Sequence, residues 1–308
     1  MREGATAADL RPGTGTLTHP RARDVAWQRA GRRFFRNRLT TLGLGIVVLF
    51  LLVAGFAPYL APYPGDVTGA VHTAERLQPP GPAHALGTDE VGRDVLSRLL
   101  DGTRVSLAIG AIIIAVAMAI GVPLGLAAGV MGGWVEEAIM RTTDVFLAVP
   151  GIVLAIAIVT VLGPGIAHAM VAISLVWWPG YVRLVHGRAT ALRGSMFVEA
   201  ARALGAPWRR VILRHVLPNL LTVIVIKASM DMGMAILTAA GLGFVGVGAQ
   251  PPIPEWGEMI SAGQPYLPTW WWLSVFPGAA IVVTVLGFNL LGDGLRDLLD
   301  PATRQAVA

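Results

Sequence analysis

Three stretches of this chain, residues 105–135, 146–182 and 259–292, contain no Asp, Glu, Lys or Arg. About 20 apolar residues cross a bilayer as one helix, so the first and third can each span once and the second twice. A closed β-barrel would read as short segments of alternating polarity, and none are present. Composition agrees: 54% of residues are hydrophobic and 14% charged, against about 25% charged in a soluble domain. The sequence predicts an all-α integral membrane protein. With no cysteine, it has neither a disulfide framework, a thiolate metal site nor a cysteine nucleophile.

Arginine sets the orientation. One cluster comprises Arg21, Arg23, Arg29, Arg32, Arg33, Arg36 and Arg38. The other comprises Arg183, Arg188, Arg193, Arg202, Arg209, Arg210 and Arg214, with Glu199 as the one acid among them. Residues 248–269 hold Glu255 and Glu258 and no basic residue. Basic residues mark the cytoplasmic side, which predicts six transmembrane helices with both termini cytoplasmic. This placement accounts for the arginines without a nucleic acid.

Residues 1–20 read as a disordered tail, and no cleavable signal peptide is evident. Residues 21–41 read as a basic interfacial helix on the inner leaflet. The first span is expected at 42–58, closed by Pro58. An extracytoplasmic loop follows at 59–103, with a helix over 88–100 that Asp89 caps and Gly102 ends. A five-helix core occupies 104–293, its spans expected near 106–131, 144–162, 167–185, 220–240 and 271–291. Gly121, Gly125, Gly129 and Gly133 recur every fourth residue, which bares one helix face for a close neighbour. Pro123 is expected to kink that span. Trp270, Trp271 and Trp272 are expected at the outer interface, and residues 294–308 form a cytoplasmic tail.

The inner loop, residues 194–216, reads as two short helices with a fixed bend. Ser195 is placed to cap the first, and Glu199 complements its dipole. Gly205 suits a left-handed terminator, and Pro207 the first turn of the next helix. Trp208, Val211, Ile212 and His215 then share one face, Arg210 and Arg214 another, and Pro218 closes the helix. Such an element can pass a rigid-body push into two spans; it can equally be a solvated basic loop.

The spacing Glu199-Ala200-Ala201, Gly205, Leu217-Pro218 resembles the "EAA" loop of ABC importer permeases. His215 departs from that pattern, standing where a large aliphatic is usual. The His-Val-Leu-Pro-Asn ending resembles the peptide-uptake branch. Leu86-Gly-Thr-Asp-Glu-Val-Gly-Arg-Asp-Val-Leu-Ser-Arg98, the segment from Gly241 to Pro252 and that from Phe288 to Pro301 are similar to the C-type subunit of dipeptide/oligopeptide permeases. The likeness covers about residues 36–301. It implies a type I importer permease in the bacterial cytoplasmic membrane, with dipeptides or oligopeptides as cargo; nickel complexes or another small solute are the alternative. The implied partners are a second, homologous permease, two ABC ATPase subunits, an extracytoplasmic substrate-binding protein and the lipid bilayer. It makes Glu199, Ala200, Ala201, Gly205, Leu217 and Pro218 the ATPase-coupling loop. Asp89, Glu90, Arg93 and Asp94 become a candidate contact for the binding protein.

Other signals carry less. Gly241-Leu-Gly243-Phe-Val-Gly246 fits a dinucleotide pattern but lacks the strand and soluble helix it requires. The single lysine, Lys227, follows Ile226, so the chain has no Walker A loop, and ATP would be hydrolysed elsewhere. The six histidines form no metal motif, and neither catalytic residues nor a cofactor are expected. Lys227 and Asp231, one turn apart inside the fifth span, form an intramembrane charge pair, read as a mutual ion pair or as lining of an aqueous path. An ion-gradient-driven carrier would show repeated halves, and none is visible.

Overall fold

The computed structural model describes residues 37–299, and among them the chain is helical with no strand; Thr88 and Asp94 form an isolated bridge. The tail and nearly all of the basic amino-terminal segment lie outside the described residues. Helix α1 spans Arg38–Leu60, opened by Asn37, whose side chain accepts from the Leu39 N–H. Pro58 was expected to stop it but lies inside it. The Ala61 N–H still reaches the Ala57 carbonyl at 3.1 Å; a proline this near a helix end removes little of the ladder.

Helix α2, Val95–Met131, corrects the expected loop boundary. Residues 88–94 are not helical, and Asp94 rather than Asp89 is the cap, its carboxylate accepting from the Ser97 N–H at 2.7 Å. The helix then runs 37 residues without ending at Gly102. A Cβ there would fall 2.5 Å from the Pro254 carbonyl oxygen and 2.9 Å from the Trp256 ring. Gly102 therefore makes room for Trp256 rather than terminating a helix.

The expected straight span at 144–162 is broken. Helix α3, Gly133–Leu147, and α4, Gly151–Leu162, meet at 87°. Pro150 caps α4 and biases Val149 out of the helical region. Helix α5 is Ile166–Arg193, α6 Met196–Ala203, α7 Trp208–Phe244, α8 Trp256–Gly263 and α9 Trp272–Leu299. Helices α1, α2, α7 and α9 are long and apolar enough to cross a membrane, and the bent α3–α4 pair makes a fifth candidate. Helix α9 runs past the expected tail boundary at 294. Gly292 and Gly294 let it lie against Met230 and Thr40.

The glycine ladder does what its spacing requires. A Cβ on Gly121 would sit 2.6 Å from Tyr181 Cβ, on Gly125 2.8 Å from the Val182 carbonyl oxygen, and on Gly129 2.7 Å from Ala189 Cβ. Helices α2 and α5 therefore touch backbone to backbone. Gly133 lies outside this contact, because α2 ends at Met131 and Gly132 turns the chain with φ +70°. Gly43 and Gly287 play the same part between α1 and α9. Of the three tryptophans expected at the interface, Trp271 is exposed but Trp272 is buried, its ring N–H donating to the Thr88 carbonyl.

Candidate functional site

The inner loop is built by sequence-local chemistry. Helix α6 starts at Met196, but Ser195 does not cap it through its side chain; the hydroxyl donates to the Leu192 carbonyl instead. Gly205 adopts φ +81°, a conformation that costs a side-chain-bearing residue. The Ala206 N–H returns to the Ala201 carbonyl at 3.0 Å, closing a Schellman-type end. Arg202 then locks the bend: it donates to the Ala206 carbonyl at 2.8 Å and lies 4.1 Å over the Trp208 ring. Pro207 stands at the cap position, one residue before the expected first turn.

Pro218 does not end the second helix. Residues Ile212–Val216 form a π-helical turn that leads directly into Leu217–Phe244. The wider turn absorbs a proline that cannot donate, and Asn219 Nδ2 donates to the His215 carbonyl at 2.6 Å. His215 lies tilted against Phe197, ring centroids 6.4 Å apart, which gives the departing residue a packing role.

Helix α6 buries one residue, Val198, against Val211, Val216 and Leu220. That cluster continues into Leu126 and Val130 of α2 and Val185 and Ala189 of α5. Its other face is open. Met196 is 87% and Leu204 90% exposed, beside exposed Glu199 and Ala200; Ala201 is half-buried. Leu217 is half-buried and Pro218 exposed. Among the described residues Glu199 forms no ion pair. The arrangement is a rigid, shallow, apolar ridge flanked by Arg209, Arg210 and Arg214, all exposed.

The outer cluster is different in kind. Asp89, Arg93 and Asp94 are buried, and only Glu90 is partly open. Arg93 Nε lies 2.6 Å from Asp89 Oδ2 and its Nη2 3.3 Å from Glu90 Oε1. Asp94 takes His84 at 2.9 Å. Arg98 reaches Asp89 at 3.5 Å and Glu258 of α8 at 3.3 Å. Burial pushes the Glu258 carboxyl up to about 7, against the opposing pull of Arg98 and Arg93. Burial also raises Glu255, against hydrogen bonds from backbone N–H groups of α8.

In the span, Lys227 Nζ straddles Asp231, 3.1 Å from Oδ1 and 2.9 Å from Oδ2. The two side chains thus form an ion pair across one helical turn. Sequence reasoning missed the Arg98–Glu258 link, whose members stand 160 positions apart. The available signal was an acid pair in a segment without basic residues. It also missed the Arg202–Trp208 staple and the Glu136–His186 contact at 2.7 Å.

Known proteins share this sequence and fold. Residues 121–305 match the profile described as binding-protein-dependent transport system inner membrane component, and residues 26–80 that of the N-terminal TM domain of oligopeptide transport permease C. A probable D,D-dipeptide transport system permease protein of Escherichia coli K12 is 46% identical, covering 85% of this chain and 87% of that protein. A dipeptide transport system permease protein of Alkalihalophilus pseudofirmus is 43% identical over 89% of this chain and 90% of its own. A glutathione transport system permease protein of Pectobacterium atrosepticum is 44% identical over 89% and 91%. A structure of the MetNI methionine ABC transporter, inward facing, aligns with TM-score 0.55 and 21% identity, over 67% of this chain and 98% of that one.

Proposed function

Because this chain belongs to the binding-protein-dependent transport system inner membrane components, we propose that it is the C-type permease of an ATP-driven importer of short peptides. As an ABC importer permease it is a multi-pass component of the bacterial inner membrane and a transport subunit rather than an enzyme. That class works with an ATPase, a substrate-binding protein and a second permease. The finer assembly we propose is one related permease, two ATPase subunits and one extracytoplasmic binding protein. Six passes are formed by α1, α2, the bent α3–α4 pair, α5, α7 and α9, with both termini cytoplasmic. The arginines of the inner loop support that orientation. The peptide cargo is supported by relatives named for dipeptide, D,D-dipeptide and glutathione transport.

The coupling role of Glu199, Ala200, Ala201, Gly205, Leu217 and Pro218 rests on one observation above all. Helix α6 buries only Val198 yet leaves Met196 and Leu204 almost fully exposed. An apolar ridge on a basic cytoplasmic loop fits a docked protein better than water. ATP-driven closure of the ATPase pair would push α6; the Arg202–Trp208 staple and the unbroken α7 would carry that push into the membrane. On the outer side, Glu90 is the member of its cluster suited to touch the binding protein, while Asp89, Arg93 and Asp94 hold the loop in shape.

Leu204→Asp is the direct test. In a mild-detergent pull-down from native membranes, the variant is expected to lose at least about tenfold of the ATPase subunits, since a charge is then buried at the contact, while the second permease is retained. Wild-type ATPase recovery with this variant would remove the coupling assignment.

A further inference from the structure

We infer that Lys227, Asp231 and Tyr181 form a polar site that receives the two charged termini of a zwitterionic short peptide within the membrane. This rests on the importer reading above and adds a substrate site to it. Lys227 and Asp231 lie near the middle of the 37-residue helix α7, where a lone charge is costly and calls for a partner or an aqueous space. They have each other, but the pair is not closed. Lys227 keeps 30% and Asp231 17% of its side chain accessible. Lipid is a poor neighbour for an ammonium, so its open edge faces a protein- or water-lined space.

Tyr181 on α5 is the second, independent sign. It is 0% exposed, its ring centroid lies 5.2 Å from Lys227 Nζ, and its hydroxyl is buried against the Asp231 carboxylate without a well-aligned hydrogen bond. Asp231 Oδ2 has the Lys227 ammonium at 2.9 Å, again without a well-aligned hydrogen bond. Buried polar groups are nearly always satisfied, and an ammonium carries three donors. A pair serving only to hold α7 would use this capacity up. Gly180 adjoins the pair: a Cβ there would stand at ordinary contact, 3.8 Å from Lys227 Cε and 3.9 Å from Nζ.

A cation and an anion side by side, with a hydroxyl next to them, match a ligand that carries both charges a short distance apart. The peptide's carboxylate takes Lys227 and the Tyr181 hydroxyl, and its ammonium takes Asp231. The internal pair opens as the ligand enters and closes behind it. The exchange of one ion pair for two, followed by its reversal, keeps the site weak enough to release its cargo, as conduction requires.

The test is direct binding to the assembled transporter in nanodiscs without the binding protein, read by tryptophan fluorescence, since Trp177 and Trp178 adjoin the site in sequence. The probes are alanyl-alanine and N-acetyl-alanyl-alanine amide. The zwitterion is expected to bind, and the blocked peptide at least about tenfold more weakly, the size of a lost charged hydrogen bond. Lys227→Met and Asp231→Asn should each weaken the zwitterion about tenfold and leave the blocked peptide unchanged. Tyr181→Phe keeps the test available if a charge variant fails to fold. Equal affinity for both probes, or unchanged binding in all three variants, overturns the site. ATP-driven uptake of alanyl-alanine by wild-type proteoliposomes separates the two readings. Uptake with unaltered binding in the variants removes only this site; binding without uptake removes the importer reading.

Discussion

Gly125→Leu is expected to abolish accumulation of folded protein. At this position α2 and α5 touch through backbone: an added Cβ would already lie 2.8 Å from both the Val182 carbonyl oxygen and Val185 Cβ. A leucine adds three more carbons, which neither a carbonyl nor a β-branched neighbour can yield to. Overpacking usually costs 1–3 kcal/mol. Here helix separation would also open the contacts of Gly121 and Gly129, so we expect the loss to exceed about 3 kcal/mol. Melting temperature and yield in mild detergent measure it. Gly55→Leu is the control, since nothing lies within 4 Å of a Cβ at Gly55 on α1. Equal melting of the two variants would show that the α2–α5 contact does not carry the fold.

Arg98→Met should destabilise the outer half of the bundle by about 3–5 kcal/mol, the usual cost of removing one partner of a buried ion pair. The guanidinium is 3% exposed, bridges Asp89 and Glu258, and donates to the Pro252 carbonyl at 3.2 Å. Asp89 keeps Arg93 in the variant, so Glu258 is the group left without its nearest cation. Glu258 also predicts a pH dependence. Its carboxyl is raised from 4.5 to about 7, so the folded state holds a proton that the unfolded chain has released. The stability of that neutral form is full below about pH 4.5 and is lost as pH rises through about 7. Melting of the wild type should fall between pH 5 and pH 8, and Glu258→Gln should flatten part of that slope. Arg98→Met/Glu258→Leu should recover much of the single-variant loss, because the orphaned charge is gone. A double variant no more stable than Arg98→Met would mean that the pair does not hold α8 to α2.

The sequence made membrane insertion, the helical class and the inner loop legible because each rests on local signals. Charge-free runs, the four-residue glycine spacing and the Gly205 terminator need no knowledge of distant neighbours; the structure keeps Gly121, Gly125 and Gly129 in one helix contact and Gly205 at φ +81°. Three errors share a cause: Gly102, Pro58 and Pro218 were taken as stops, whereas Gly102 yields space to Trp256, Pro58 lies inside α1 and Pro218 sits behind a π-helical turn. Pro150 erred the other way, breaking a span that hydropathy drew as continuous. The outer cluster was misread for a related reason. Asp89, Arg93 and Asp94 look like surface charge in a polar loop, but Asp94 pairs with His84, and Asp89 shares Arg98 with Glu258 of α8, 160 positions beyond that arginine.

On the proposed function, this chain conducts a short peptide only when ATP hydrolysis moves its inner loop. The most direct measurement is alanyl-alanine uptake into proteoliposomes holding the complete transporter and its binding protein, with and without internal ATP, for wild type and Gly205→Val. A β-branched residue strains the backbone at φ +81°, while its Cβ has no atom within 4 Å, so the disturbance centres on the bend. ATP-dependent uptake is expected for the wild type, and for Gly205→Val at least about a tenfold fall in uptake with ATP hydrolysis continuing. Uptake without ATP, or an unchanged uptake rate in Gly205→Val, would contradict it.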